Sequence, residues 1–214
     1  MKKDFLKLAS SAEDYYKRLE EIRQSEYISD QLKEENEAIE REKFINQAKI
    51  TFDGLKNRLD SQAAQAKQKL DEMQAGDYDR RQYEYTKAAN ELQDYDNIQD
   101  FLKAKTETAS NEIELQEARK LALSKARAED AGTYEMIKNE VVKTLPEEEK
   151  KARQELAEIE IKKYNIDSAE NTFNYELPEV EKGNPEMLRV SLVSFADTTD
   201  QAGKIENKIA DTIK

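Results

Sequence analysis

Apolar residues recur at alternating steps of three and four positions along the first third of the chain. This spacing is typical of the buried stripe of a coiled coil, because it places the apolar residues on one side of a helix. The pattern loosens between residues 27 and 39 and then resumes. The seam residues assigned to this stretch are Phe5, Leu8, Tyr15, Leu19, Ile22, Ile45, Phe52, Leu55, Leu59 and Leu70. The pattern predicts one helix over 3–74, or two nearly collinear helices.

A second stretch with the same spacing follows Gly76 and Asp77, residue types that often end and begin helices. The seam residues assigned to it are Tyr78, Tyr85, Leu92 and Tyr95. Tyr83 is the tyrosine of this region that lies off the seam, so packing is favoured over a binding surface for the other three. The stretch predicts a helix over 77–130 that runs back beside the first one, which makes 1–130 a long antiparallel hairpin.

The last third of the chain is predicted to consist of shorter pieces. We expect short helices over 131–175, a linker at 176–187 that holds two of the three prolines, and a C-terminal docking segment at 188–214. Residues 188–195 fit a strand or a helix. The docking residues proposed from their apolar character are Leu188, Val190, Leu192, Val193, Phe195, Ile205, Ile209 and Ile213. This segment either docks on a partner or caps the open end of its own hairpin.

Composition agrees with a helical chain. Glycine occurs five times and proline three times in 214 residues, while charged residues make up 38% of them. Few helix-breaking residues together with many Glu, Lys, Gln and Ala favour long helices. The predicted fold class is therefore all-α: an elongated antiparallel helical hairpin or coiled coil with shorter C-terminal helices, and a short strand segment near the C-terminus as the alternative to helix there.

The residue types that carry most catalysis and metal binding are absent. The chain has no cysteine and no histidine, which excludes thiolate chemistry, disulfides and the commonest metal ligand. It contains no phosphate-binding glycine loop, dinucleotide-binding motif or nucleophile elbow. Pairs of carboxylates occur throughout, but on faces expected to be solvated. We therefore predict that the protein is not an enzyme and has no catalytic residue, cofactor or metal site.

The negative charge of the chain points to protein partners. The net charge is −12, and residues 76–183 carry 26 acidic and 17 basic side chains. Such a chain repels nucleic-acid phosphates and anionic membranes. No apolar run is long enough to cross a membrane. We predict a homo-oligomer with a protein partner of basic character, no direct nucleic-acid binding and no membrane association.

These features together predict a non-enzymatic helical assembly or interaction protein, acting by self-association and C-terminal docking. In composition the chain resembles acidic, cysteine-free helical scaffolding or accessory proteins of bacteriophage capsids. That resemblance implies a structural role in the cytoplasm or inside a viral particle. The alternative is an acidic inhibitor that mimics nucleic acid and binds a DNA-binding or defence protein. Mimicry requires a continuous acidic face, whereas lysine and arginine interrupt every acidic stretch here, as in the segment EEEKKAR.

Overall fold

A computed structural model describes residues 1–74, 78–129 and 131–197, and helix takes up 91% of this part, with no strands in it. The predicted all-α class is confirmed. The helices are α1 (Lys2–Gln24), α2 (Asp30–Gln74), α3 (Tyr78–Glu91), α4 (Ile98–Thr108), α5 (Glu112–Glu129), α6 (Ala131–Thr144), α7 (Glu147–Glu181) and α8 (Pro185–Asp197), with a single 3-10 turn at Leu92–Asp94.

The chain divides into two units. The first comprises Met1–Gln62 and the described residues from Ile159 onward, and the second comprises the described residues of Ala63–Glu158. Helices α2 and α7 supply residues to both units.

In the first unit, α1 runs antiparallel to the first half of α2. Arg18 pairs with Glu40 at 3.0 Å, and Arg23, one and a half turns further along α1, pairs with Glu37 at 2.7 Å. Because the residue numbers of these contacts rise along α1 while they fall along α2, the two helices run in opposite directions. The prediction of a continuous or nearly collinear helix over 3–74 is therefore wrong.

The break between α1 and α2 has a local cause in the sequence. Ser25 adopts an extended backbone that ends α1, and the Ser29 hydroxyl accepts a hydrogen bond from the amide of Leu32 in the first turn of α2. Serine competes with helical hydrogen bonding in this way and favours helix ends. The break falls in the stretch where the apolar pattern loosens. A turn there interrupts no continuous buried stripe of apolar residues.

Helices α7 and α8 complete the first unit. The Phe173 ring of α7 lies 5.3 Å from that of Phe44 and 5.9 Å from that of Phe52, both on α2. Helix α8 packs on α1. These rings, with Phe5, form the aromatic centre of the unit, and aromatic pairs at such distances stabilise a core beyond their buried area.

The predicted linker at 176–187 is wrong, because α7 continues to Glu181 and only three residues separate it from α8. Pro178 lies inside the last turns of α7. Its neighbours Leu177 and Val180 are buried, and their packing offsets the hydrogen bond that proline removes. The turn that follows depends on Gly183, whose φ of 107° lies in the left-handed region that glycine tolerates.

The second unit contains α3 to α6 with parts of α2 and α7. Its main core cluster joins α4, α5, α6 and α7, and a smaller one joins α3, α4 and α5. The buried members of the two clusters are Ile98, Leu102, Ala122, Leu123, Ala126, Ile137, Val141, Val142, Leu145 and Ala157 in the first, and Ala88, Phe101, Ala118 and Leu121 in the second.

The predicted helix over 77–130 is broken into α3, α4 and α5, so the predicted long hairpin over 1–130 is not formed as two continuous helices. Helices α4 and α5 each begin with an asparagine cap. The Asn97 side chain accepts a hydrogen bond from the amide of Asp100 at 2.9 Å, and Asn111 accepts one from the amide of Glu114 at 3.0 Å. Such caps satisfy amides that a helix start leaves unpaired. In contrast, 131–175 contains only two helices, one of them the 35-residue α7.

Candidate interaction surfaces

Most seam residues of α1 and α2 are buried. The buried ones are Phe5, Leu8, Tyr15, Leu19, Phe52, Leu55, Leu59 and Leu70. Ile22, Ile45, Tyr85 and Leu92 are half-buried. The sequence pattern thus placed these side chains on the inner side of their helices, where they face neighbours within one chain.

The tyrosines of α3 depart from the predicted seam. Tyr78 is 80% exposed, so the expectation that it packs in a seam is wrong. Tyr95 lies edge-on against Phe101 with ring centroids 5.6 Å apart, and the rest of its ring is exposed. Tyr83, expected off the seam, is also exposed. Tyr95 lies beyond the end of α3 at Glu91, so it is not on the helical stripe that the pattern required.

The proposed docking segment is largely used inside its own chain. Residues 188–195 are helical, so the strand alternative is wrong. Leu188 and Leu192 are fully buried, and Phe195 lies 6.5 Å from Phe5 of α1. Val193 and Phe195 are half-buried and Val190 is exposed; Ile205, Ile209 and Ile213 lie outside the described residues. Burial of α8 on α1 favours the capping alternative over docking on a partner.

Helix α2 carries a row of exposed apolar residues on the side opposite its buried one. Leu32, Ile39 and Ile50 are 47%, 49% and 73% exposed. They lie seven and eleven positions apart, which are two and three helical turns, so all three point the same way. The buried residues Ala48 and Leu55 lie on the reverse side. We call Leu32, Ile39 and Ile50 the outer row.

Two ionic residues beside the outer row have no partner within the described part of the chain. Glu42 and Lys49 lie on the same flank of the row, seven positions apart, and neither forms a hydrogen bond or ion pair with a described residue. Their neighbours differ: Lys43 contacts Glu40 at 2.6 Å, and Lys56 contacts Asp167 at 2.8 Å. Charge on this flank is therefore available to another molecule.

Helix α7 also carries two exposed tyrosines. Tyr164 and Tyr175 are 70% and 78% exposed and lie eleven positions apart on one side of the helix. Tyr27, in the turn between α1 and α2, is exposed over almost its whole surface. Tyrosine is enriched in binding surfaces because its ring is apolar and rigid while its hydroxyl forms hydrogen bonds.

Buried charges in the second unit are paired with each other. Glu114 is buried and accepts hydrogen bonds from Lys105 and Lys87, both at 2.8 Å, and from the amide and hydroxyl of Ser110. The two ammonium groups, Lys105 first, hold the pKa of Glu114 well below its ordinary value. Lys105 also contacts Glu91. A carboxylate held ionised by two lysines is a structural anchor and a poor proton acceptor.

Buried arginines add to the same interior. Arg153 donates to Glu149 on α7 at 2.7 Å, and Arg81 of α3 donates to Glu117 of α5 at 2.8 Å. Burial lowers the pKa of Arg119, while Glu112 raises it. The Arg81–Glu117 pair joins α3 to α5 by a charge-assisted bond that fixes the register of the two helices, whereas Arg153 and Glu149 both lie on α7.

An open groove of about 550 Å³ lies between α4 and α6. Lys103, Glu107, Glu140 and Lys143 line it together with the exposed side chain of Met136. Charges of both signs alternate along it, and Lys143 is 3.4 Å from Glu140. The groove brings together no nucleophile and base, and its mixed lining selects no single class of ligand.

In the described part of the chain, no group of three or more acidic side chains is arranged to hold a metal ion. No helix in these ranges is sufficiently long and apolar to span a bilayer.

Comparisons with protein-family models, with curated proteins and with solved structures found no match.

Proposed function

We propose that this chain is a non-enzymatic helical interaction protein that associates with itself and binds protein partners through exposed faces of its helices. The observation that carries the proposal is the outer row of α2. Apolar residues at helical spacing on one exposed face of a helix are typical of helix-to-helix binding. The fold beneath the row is a packed set of helices, which presents this face on a rigid element.

Burial of the outer row would supply a substantial part of a binding free energy. Complete burial of a leucine or isoleucine contributes about 1.5–3 kcal/mol. Because Leu32 and Ile39 are already half-buried, each would gain about 1 kcal/mol, and Ile50 would gain about 2 kcal/mol. A symmetric dimer buries two copies of the row, so the gain is enough to offset part of the entropy lost on association.

The role of the C-terminal helix in the proposal follows from its packing. Leu188 and Leu192 hold α8 on α1, so α8 stabilises the first unit. The acidic, cysteine-free composition supports a scaffolding or accessory structural role, in the cytoplasm or within a viral particle, as part of the same proposal.

Mimicry of nucleic acid is the second candidate, and the ion pairs weigh against it. In the second unit Glu114, Glu117 and Glu149 are each bound to lysine or arginine. A paired, buried carboxylate cannot replace a phosphate on the surface. The exposed apolar row gives no support to an electrostatic mimic either.

A concentration series in sedimentation velocity tests the proposed function. The chain has a mass of 24.8 kDa, and the weight-average mass should rise toward about twice that value as protein concentration increases. Crosslinking in a lysate of the native host would then identify protein partners. A chain that stays monomeric at every concentration and crosslinks to no other protein would contradict the proposal.

A further inference from the structure

We draw no further inference here: the strongest candidate, the outer side of α7 that carries the exposed tyrosines Tyr164 and Tyr175, is an unpartnered helix face, and nothing in the described part of the chain shows what covers it.

Discussion

Replacement of Leu192 by alanine should destabilise the first unit strongly, because α8 is part of its core. Leu192 is fully buried, and α8 packs on α1. In buried sites the change from leucine to alanine costs about 2–5 kcal/mol, from the lost transfer free energy and the cavity left behind. Val190, two positions earlier on the same helix, is 55% exposed, and Val190→Ala should be near neutral because alanine's higher helix propensity offsets the small loss of burial.

Urea unfolding followed by circular dichroism at a helix-sensitive wavelength measures the difference. The unfolding midpoint of Leu192→Ala should fall clearly below that of the wild type, while that of Val190→Ala should stay close to it. Hydrogen exchange would locate the effect, because the amides of α1 should exchange faster in Leu192→Ala. Equal midpoints for Leu192→Ala and the wild type would refute the assignment of α8 to the core and restore the docking alternative.

Three further predictions concern other contacts. Leu55→Ala should lower the free energy of unfolding by about 2–4 kcal/mol in urea titration, because Leu55 is buried on α2. Lys56→Ala should cost about 0.5–1 kcal/mol in the same assay, since it removes partly exposed ion pairs to α7, whereas Lys49→Ala in the monomer should cost nothing measurable. The lowered pKa of Glu114 means that its stabilising contribution is complete above its ordinary pKa of 4.5 and is lost as pH falls below it. Unfolding of Glu114→Gln between about pH 5 and 3 should therefore depend less on pH than unfolding of the wild type.

The helical class and much of the buried face could be predicted from the sequence. The spacing of Phe52, Leu55 and Leu59 is incompatible with a strand and fits one side of a helix, and these residues are buried. Composition supported the same result, since a chain with few glycines and prolines has few residues that oppose helix formation.

The breaks between helices could be predicted only in part. The turns after α1, before α4 and before α5 depend on Ser29, Asn97 and Asn111, single residues whose capping contributes about 1 kcal/mol each. A contribution of that size decides a helix end only when tertiary packing favours the turn as well, and packing partners are distant in sequence. The predicted linker at 176–187 is wrong for the same reason. Packing of Leu177 and Val180 allows α7 to continue past Pro178.

The outer row shows why periodicity alone did not find the candidate interface. Leu32 and Ile39 are seven residues apart and fit a heptad as well as core residues do. Spacing indicates that residues share one side of a helix, but not whether that side faces its own chain or solvent. Only the fold shows that α1 and α7 cover the opposite side of α2. The unpaired state of Glu42 and Lys49 likewise became visible only from the distances between side chains.

Multi-angle light scattering of the wild type and Ile50→Asp at the same concentration tests the central claim most directly. Ile50 is 73% exposed, so the substitution should leave the helical signal unchanged. The account predicts about twice the 24.8 kDa chain mass for the wild type, a single chain mass for Ile50→Asp, and a wild-type mass for the control Val190→Asp on α8. Equal masses for the wild type and Ile50→Asp, or a monomeric wild type destabilised by Ile50→Asp, would contradict it.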